Sequence, residues 1–127
     1  MRFAKIVFNT AGIYGLLVLL PHYFLETKIG DGAPPPINHP EYFYGFVGVG
    51  IAWQLAFLVI AADPLRYRLL MLPAIAEKWL FTASTATLLL QHRSPVNMIV
   101  PVALDFVLGV FFLLSFIKTG KENTARA

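Results

Sequence analysis

Cysteine is absent from the 127 residues. Disulfides, thiolate metal sites, iron–sulfur clusters and cysteine nucleophiles are therefore excluded within this chain. Charge is scarce as well: Asp, Glu, Lys and Arg together make up 13%, against about 25% in a typical soluble domain. Catalytic signatures are also missing, with no GxSxG, HExxH, phosphate-binding loop, dinucleotide fingerprint or haem CxxCH in the chain. No cofactor is specified, and no catalytic class finds a foothold.

What the chain has is apolar surface, 57% hydrophobic residues in four long runs. Runs of this length are read as transmembrane helices, here over about 3–24, 42–62, 64–91 and 95–118. An outer loop at 25–41 and a polar tail at 119–127 complete a single domain. The expected fold is an all-α membrane protein, with four transmembrane helices in an antiparallel up-down bundle. Arg2 before the first run and Lys5 at its start resemble the beginning of a signal peptide. The following PHYFLETKIGDG offers no small-residue cleavage site, so an uncleaved helix is expected.

Small residues mark places where helices can approach: Gly12 and Gly15 in the first run, and the stripe Gly48, Ala52, Ala56 in the second. The loop LETKIGDGAPPPINHPE argues against regular helix, and its three consecutive prolines favour a stiff extended piece. Tyr23, Phe24, Tyr42, Phe43 and Tyr44 flank it, as aromatic side chains do at a water–lipid boundary. Asp63-Pro64 reads as an N-cap followed by proline at the first helical position. The DPLRYR turn then brings the third run back against the second, and Ser94-Pro95 repeats the device before the fourth.

The net charge of +3 is not gathered on one amphipathic face, which sets nucleic acid aside. Basic residues sit at the ends of the runs. With four crossings, Arg2, Lys5, Arg66, Arg68, Lys118, Lys121 and Arg126 share one side, and Lys28 and Arg93 the other. The basic-rich side is the cytoplasmic one, so both termini are expected in the cytoplasm. Arg66 and Arg68 are expected to meet lipid phosphates there.

The third run carries Glu77 and Lys78 near its middle. At a rise of about 1.5 Å per residue, these two lie roughly 12–14 Å from the cytoplasmic end, Gln54 about 12 Å, Tyr14 about 13 Å and Asp105 about 20 Å. Each helix thus contributes a polar group to the mid-membrane zone. The apolar residues of the third run favour insertion by on the order of 5 kcal/mol, and Glu77 with Lys78 oppose it by about as much. The helix is expected to stay in lipid only where neighbours receive its charges. Adjacent residues point about 100° apart, so Lys78 is expected to reach Asp105 while Glu77 turns to Gln54, Tyr14 or water. Pro73 and Pro101 each precede an acid by four residues, PAIAE and PVALD. Each deprives one carbonyl of its amide partner and can open a polar notch or kink.

Glu77, Lys78, Asp105, Gln54 and Tyr14 are thus the candidate buried polar cluster or ligand site, the alternative being an ion pair that only fixes helix register. Trp53 and Trp79, near mid-depth, are the candidate aromatic lining of a pocket, and the TASTAT run from Thr82 to Thr87 leaves room for a ligand or for close packing. His22, Glu26, Asp31, His39, Glu41 and His92 lie on the outer side without compact metal-ligand spacing, so no metal site is assigned.

The basic start, the glycine-containing first helix ending near Pro21, one longer outer loop and three tightly connected helices form a pattern, carried locally by EYFYGF, DPLRYR and AIAEK. It resembles small bacterial four-helix membrane proteins of the DoxX-like group. The resemblance implies an inner-membrane subunit associated with redox or quinone-linked systems, and it transfers no site residue. The expected role is non-enzymatic: an accessory or packing subunit in the bilayer, enclosing a small lipophilic ligand such as a quinone or lipid-like molecule, in a larger membrane complex or a homo-oligomer. A minimal transporter or proton-coupled carrier using the intramembrane charges is the alternative, and a quinone-linked membrane enzyme a third.

Overall fold

The structure is a computed structural model and describes residues 1–126. Its regular elements are α1 (Arg2–Leu19), α2 (Glu26–Gly32), α3 (Pro40–Ala62), α4 (Met71–Leu90) and α5 (Ile99–Arg126), with no strand among the described residues. Short 3-10 turns follow α1 (Leu20–Phe24) and precede α4 (Arg68–Leu70) and α5 (Val96–Met98). Three segments are long and apolar enough to cross a membrane: Arg2–Phe24, Pro40–Ala62 and Val96–Arg126. That is the mark of an integral membrane protein. α4 is not among the three. Its 20 residues span about 30 Å, so it is long enough, but Glu77, Lys78 and the Thr–Ser run dilute its apolar character.

Several expected boundaries shift, each for a local reason. Pro21 brings no amide N–H to the α1 ladder, and the chain tightens into a 3-10 turn around it. The outer loop is not free of helix: α2 occupies Glu26–Gly32. Its glycines weaken a helix by about 1 kcal/mol each without forbidding it, and the prolines begin only at Pro34. Residues 33–39 then bend instead of running as one extended piece. The third long helix starts at Met71, not at residue 64. Asp63 Oδ1 does accept from the Arg66 amide at 3.2 Å, but this cap closes one turn, and a 3-10 turn follows before α4. The tail beyond residue 118 remains helical to Arg126, since GKENTAR contains no proline and a single glycine. Pro73 and Pro101 fall in the first turns of α4 and α5. Amides there have no intrahelical acceptor, so the prolines open no notch and instead help start their helices.

The buried face of α1 is Ala4, Phe8, Ala11, Gly12 and Gly15, a helical spacing that lines up one stripe. It lies against α3. A Cβ on Gly12 would sit 3.0 Å from the Gln54 carbonyl oxygen, and one on Gly50 would sit 2.8 Å from Leu19. The approach depends on these glycines and not on the Gly48–Ala52–Ala56 stripe, in which Ala52 is exposed. Tyr23 stacks on Tyr44 at 5.9 Å, extending the same pairing, and the Tyr44 hydroxyl donates to Glu26 at 3.1 Å, which ties α2 to α3.

α4 lies along α5 in the same manner. Trp79 fills the space over Gly109, where a Cβ would meet its indole nitrogen. At one end of the molecule all the long helices converge. Phe8, Phe57 and Phe112 meet there, Phe8 stacked on Phe112 at 4.2 Å and Phe57 edge-on to Phe112 at 4.9 Å. Ala4, Ile60, Ala61, Met71, Ala74 and Ile75 surround them. Lys118 lies over the Phe3 ring at 4.2 Å. Arg68 donates twice to the Phe116 carbonyl, at 3.1 and 2.9 Å, with its guanidinium 3.7 Å from the Phe116 ring centre. Arg68 thus ties the start of α4 to α5, a contact the sequence did not suggest. Towards the other end the packing thins: no residue of α5 before Gly109 is buried, and in α4 after Lys78 only Thr85 is.

Candidate functional site

Although α3 and α4 are consecutive long helices, they barely touch. The DPLRYR connection places α4 against α5 and leaves a seam where the sequence suggested close contact. A cleft of about 770 Å³ occupies that seam. Phe46, Val49, Gly50 and Trp53 of α3 form one wall, and Pro73, Ala76, Glu77, Leu80, Phe81 and Ser84 of α4 the other. The Phe46 and Phe81 rings stack across it at 6.3 Å.

Behind the α4 wall lies the charged group. Lys78 Nζ stands 3.4 Å from Asp105 Oδ1 and 3.8 Å from Glu77 Oε2, with side chains 7%, 18% and 23% exposed in that order. The ammonium also lies 5.3 Å from the Phe57 ring centre, a distance at which a ring face attracts a cation. Lys78 thus reaches α5, as its long stem allows. It also bends back to its neighbour, which the 100° separation of adjacent residues had argued against. Tilting a four-carbon stem between two acceptors is enough to overcome that angle. Glu77 Oε2 is sealed from solvent and accepts no hydrogen bond among the described residues.

The remaining candidates divide. Gln54 is 2% exposed, yet it turns to α1: its amide donates to the Gly50 carbonyl at 2.9 Å, and its Oε1 presses on Gly15. It does not meet Glu77. Tyr14 is 41% exposed and stays outside the cluster. It sits one residue before Gly15, about 100° around the helix from the centre of the buried stripe. Trp53 lines the cleft, but Trp79 does not. Trp79 faces α5, its indole N–H donating to the Phe106 carbonyl at 3.4 Å. Two of the TASTAT hydroxyls serve their own helix: Thr82 donates to the Lys78 carbonyl at 2.9 Å and Thr87 to that of Ala83 at 2.8 Å.

Around the connection between α1 and α3, His39 pairs with Glu41 at 3.1 Å and His22 donates to the Val18 carbonyl at 2.7 Å. Among the described residues, no three His, Asp or Glu side chains gather in a way that holds an ion. Sequence reasoning named Trp53 as the lining of a pocket but did not place that pocket in the α3–α4 seam. Its signal was present as Gly45 and Gly50 beside Phe46 and Trp53, where missing and bulky side chains alternate along one helix.

Comparison with protein-family models, curated proteins and solved structures gave no match. The chemistry of the cleft is what remains to argue from. Its surface is aromatic and aliphatic, and its polar atoms belong to Glu77, Ser84 and the Trp53 indole. A volume between about 300 and 1,000 Å³ with few polar groups is the usual form of a small-molecule site.

Proposed function

We propose that the protein is a non-enzymatic subunit of the bacterial inner membrane that holds a small lipophilic ligand between α3 and α4. In this reading α1, α3, α4 and α5 all cross the bilayer as an antiparallel bundle, with both termini cytoplasmic. The contacts Phe8–Phe112, Gly12–Leu58 and Arg68–Phe116 support the alternating directions. The surplus of Arg and Lys at the converging end supports its cytoplasmic placement. Lys78 and Asp105 explain how α4 remains in lipid despite its charges. This is also the setting that the DoxX-like resemblance implies.

One observation carries the ligand reading: the packed side of α4 faces α5, and its other side presents an ionisable group, Glu77, to an aromatic cleft. An ion pair serving only helix register needs no such opening. Native mass spectrometry of the protein released directly from membranes tests it. A retained small molecule is the expected result, together with its loss in Gly45→Leu. A Cβ at Gly45 meets nothing within 4 Å, so a side chain there enters free space at the cleft and not the core. A wild-type protein without adduct, or an adduct that persists in Gly45→Leu, overturns the reading. The same spectra report whether the chain travels with a larger complex or as a homo-oligomer.

A further inference from the structure

We propose that the ligand of the α3–α4 cleft is a lipophilic monocation and that Glu77 is its counter-ion. This rests on the reading of the cleft as a ligand site. Charge supplies the first argument. The group behind the α4 wall contains two carboxyl groups and one amine, with Lys78 Nζ nearer to Asp105 than to Glu77. Fully ionised, it carries one negative charge in excess. No other basic side chain among the described residues forms an ion pair with it: the remaining ion pairs are those of Met1 with Glu122 and His39 with Glu41. An excess charge away from water is costly, and a single positive charge brought by a ligand cancels it.

Position supplies the second argument. Of the two acids, Glu77 is the less tightly paired and the more exposed, and it is the one that lines the cleft. Asp105 belongs to the lysine and does not line it. The cleft therefore meets the unbalanced half of the charged group.

The walls supply the third. Phe46, Trp53 and Phe81 put aromatic rings in the lining, and an aromatic ring attracts a cation. No Lys, Arg or His lines the cleft, so an anion finds no partner there. The exposed apolar side chains at the seam, among them Val49 and Leu80, suit a ligand that arrives from the lipid with its charge buried among apolar groups.

The test uses three aryl probes: methyltriphenylphosphonium, its neutral near-isostere triphenylphosphine oxide, and the anionic tetraphenylborate. Each is titrated by calorimetry into the purified protein in lipid nanodiscs. Saturable binding of the cation is expected, at least tenfold tighter than the neutral probe, with none for the anion. Gly45→Leu is expected to abolish cation binding, and Glu77→Gln to weaken it at least tenfold while leaving the melting temperature in place. If Glu77→Gln does not fold, the three-probe series on the unaltered protein decides the matter alone. Equal binding of cation and neutral probe, both blocked by Gly45→Leu, overturns the cation assignment and leaves the cleft reading standing. Preference for tetraphenylborate overturns the assignment too. Failure of all three probes, or binding indifferent to Gly45→Leu, overturns both.

Discussion

Lys78 on α4 and Asp105 on α5 face each other at 3.4 Å, both largely withdrawn from solvent. They join the one long helix that is not apolar enough to be a spanning candidate to one that is. Placed alone between reporter sites in a membrane-insertion assay, residues 69–91 should insert only partially. Near balance of the opposing terms predicts inserted and rejected fractions within about a factor of ten of each other. Substituting Lys78→Leu in that isolated segment should shift it strongly to the inserted form. Full insertion of the unaltered segment would show that α4 needs no partner.

The α4–α5 approach depends on Gly109. A Cβ there would overlap the Trp79 indole nitrogen, with further ring atoms at 2.6 and 2.9 Å. Gly109→Ala should destabilise the protein by about 1–3 kcal/mol, as overpacking does. Pairing it with Trp79→Phe, which shortens the side chain, should recover part of the loss. Denaturation in mixed micelles measures both.

Gln54 gives the opposite sign. Its Oε1 is buried and accepts no hydrogen bond among the described residues. Removing such a group while keeping its length should be neutral or stabilising by up to about 1–2 kcal/mol. Gln54→Met is the variant, and its unfolding midpoint should not fall. A marked fall would mean that Oε1 has a partner that matters.

These two sites also show what a sequence of this kind discloses. In a soluble protein the apolar stripe of a helix identifies its inner face. In lipid both faces are apolar, because lipid tails are as apolar as Leu. Phe8, Phe57 and Phe112 form the centre of the core, yet nothing in their spacing separates them from exposed Phe46, Phe106 or Phe111. Glycine and charge were the legible features. Gly12 and Gly15 do mark a close contact, and Lys78 is indeed drawn inside to an acid. Uncharged polar residues gave a mixed signal, since Gln54, Ser115 and Thr119 are buried while Asn9, Thr10 and Tyr14 are exposed. The cleft depends on how α3 and α4 fail to meet, which is a property of the connection between them, not of either helix.

Arg68 illustrates a role that charge position alone does not reveal. Its guanidinium forks onto the Phe116 carbonyl and stacks on the ring of the same residue. A lysine keeps the charge but loses both the fork and the flat face. Arg68→Lys should therefore lower stability by about 1–2 kcal/mol, the worth of a hydrogen bond to a charged group. If Arg68 acted only on lipid headgroups, the lysine variant would be indistinguishable from the original in detergent.

The pairing that holds α4 to α5 is open to one decisive measurement, a double-mutant cycle of Lys78→Met and Asp105→Asn read by reversible unfolding in bicelles. Each single change should destabilise the protein: Lys78→Met leaves two acids without their amine, and Asp105→Asn takes away the nearer acceptor of the lysine. The double variant should lose less than the two single losses added together, by a coupling of about 1–3 kcal/mol, while Glu77 keeps it below the unaltered protein. Purely additive losses would contradict the account, for they would mean that the two side chains stand close in space without sharing their charge.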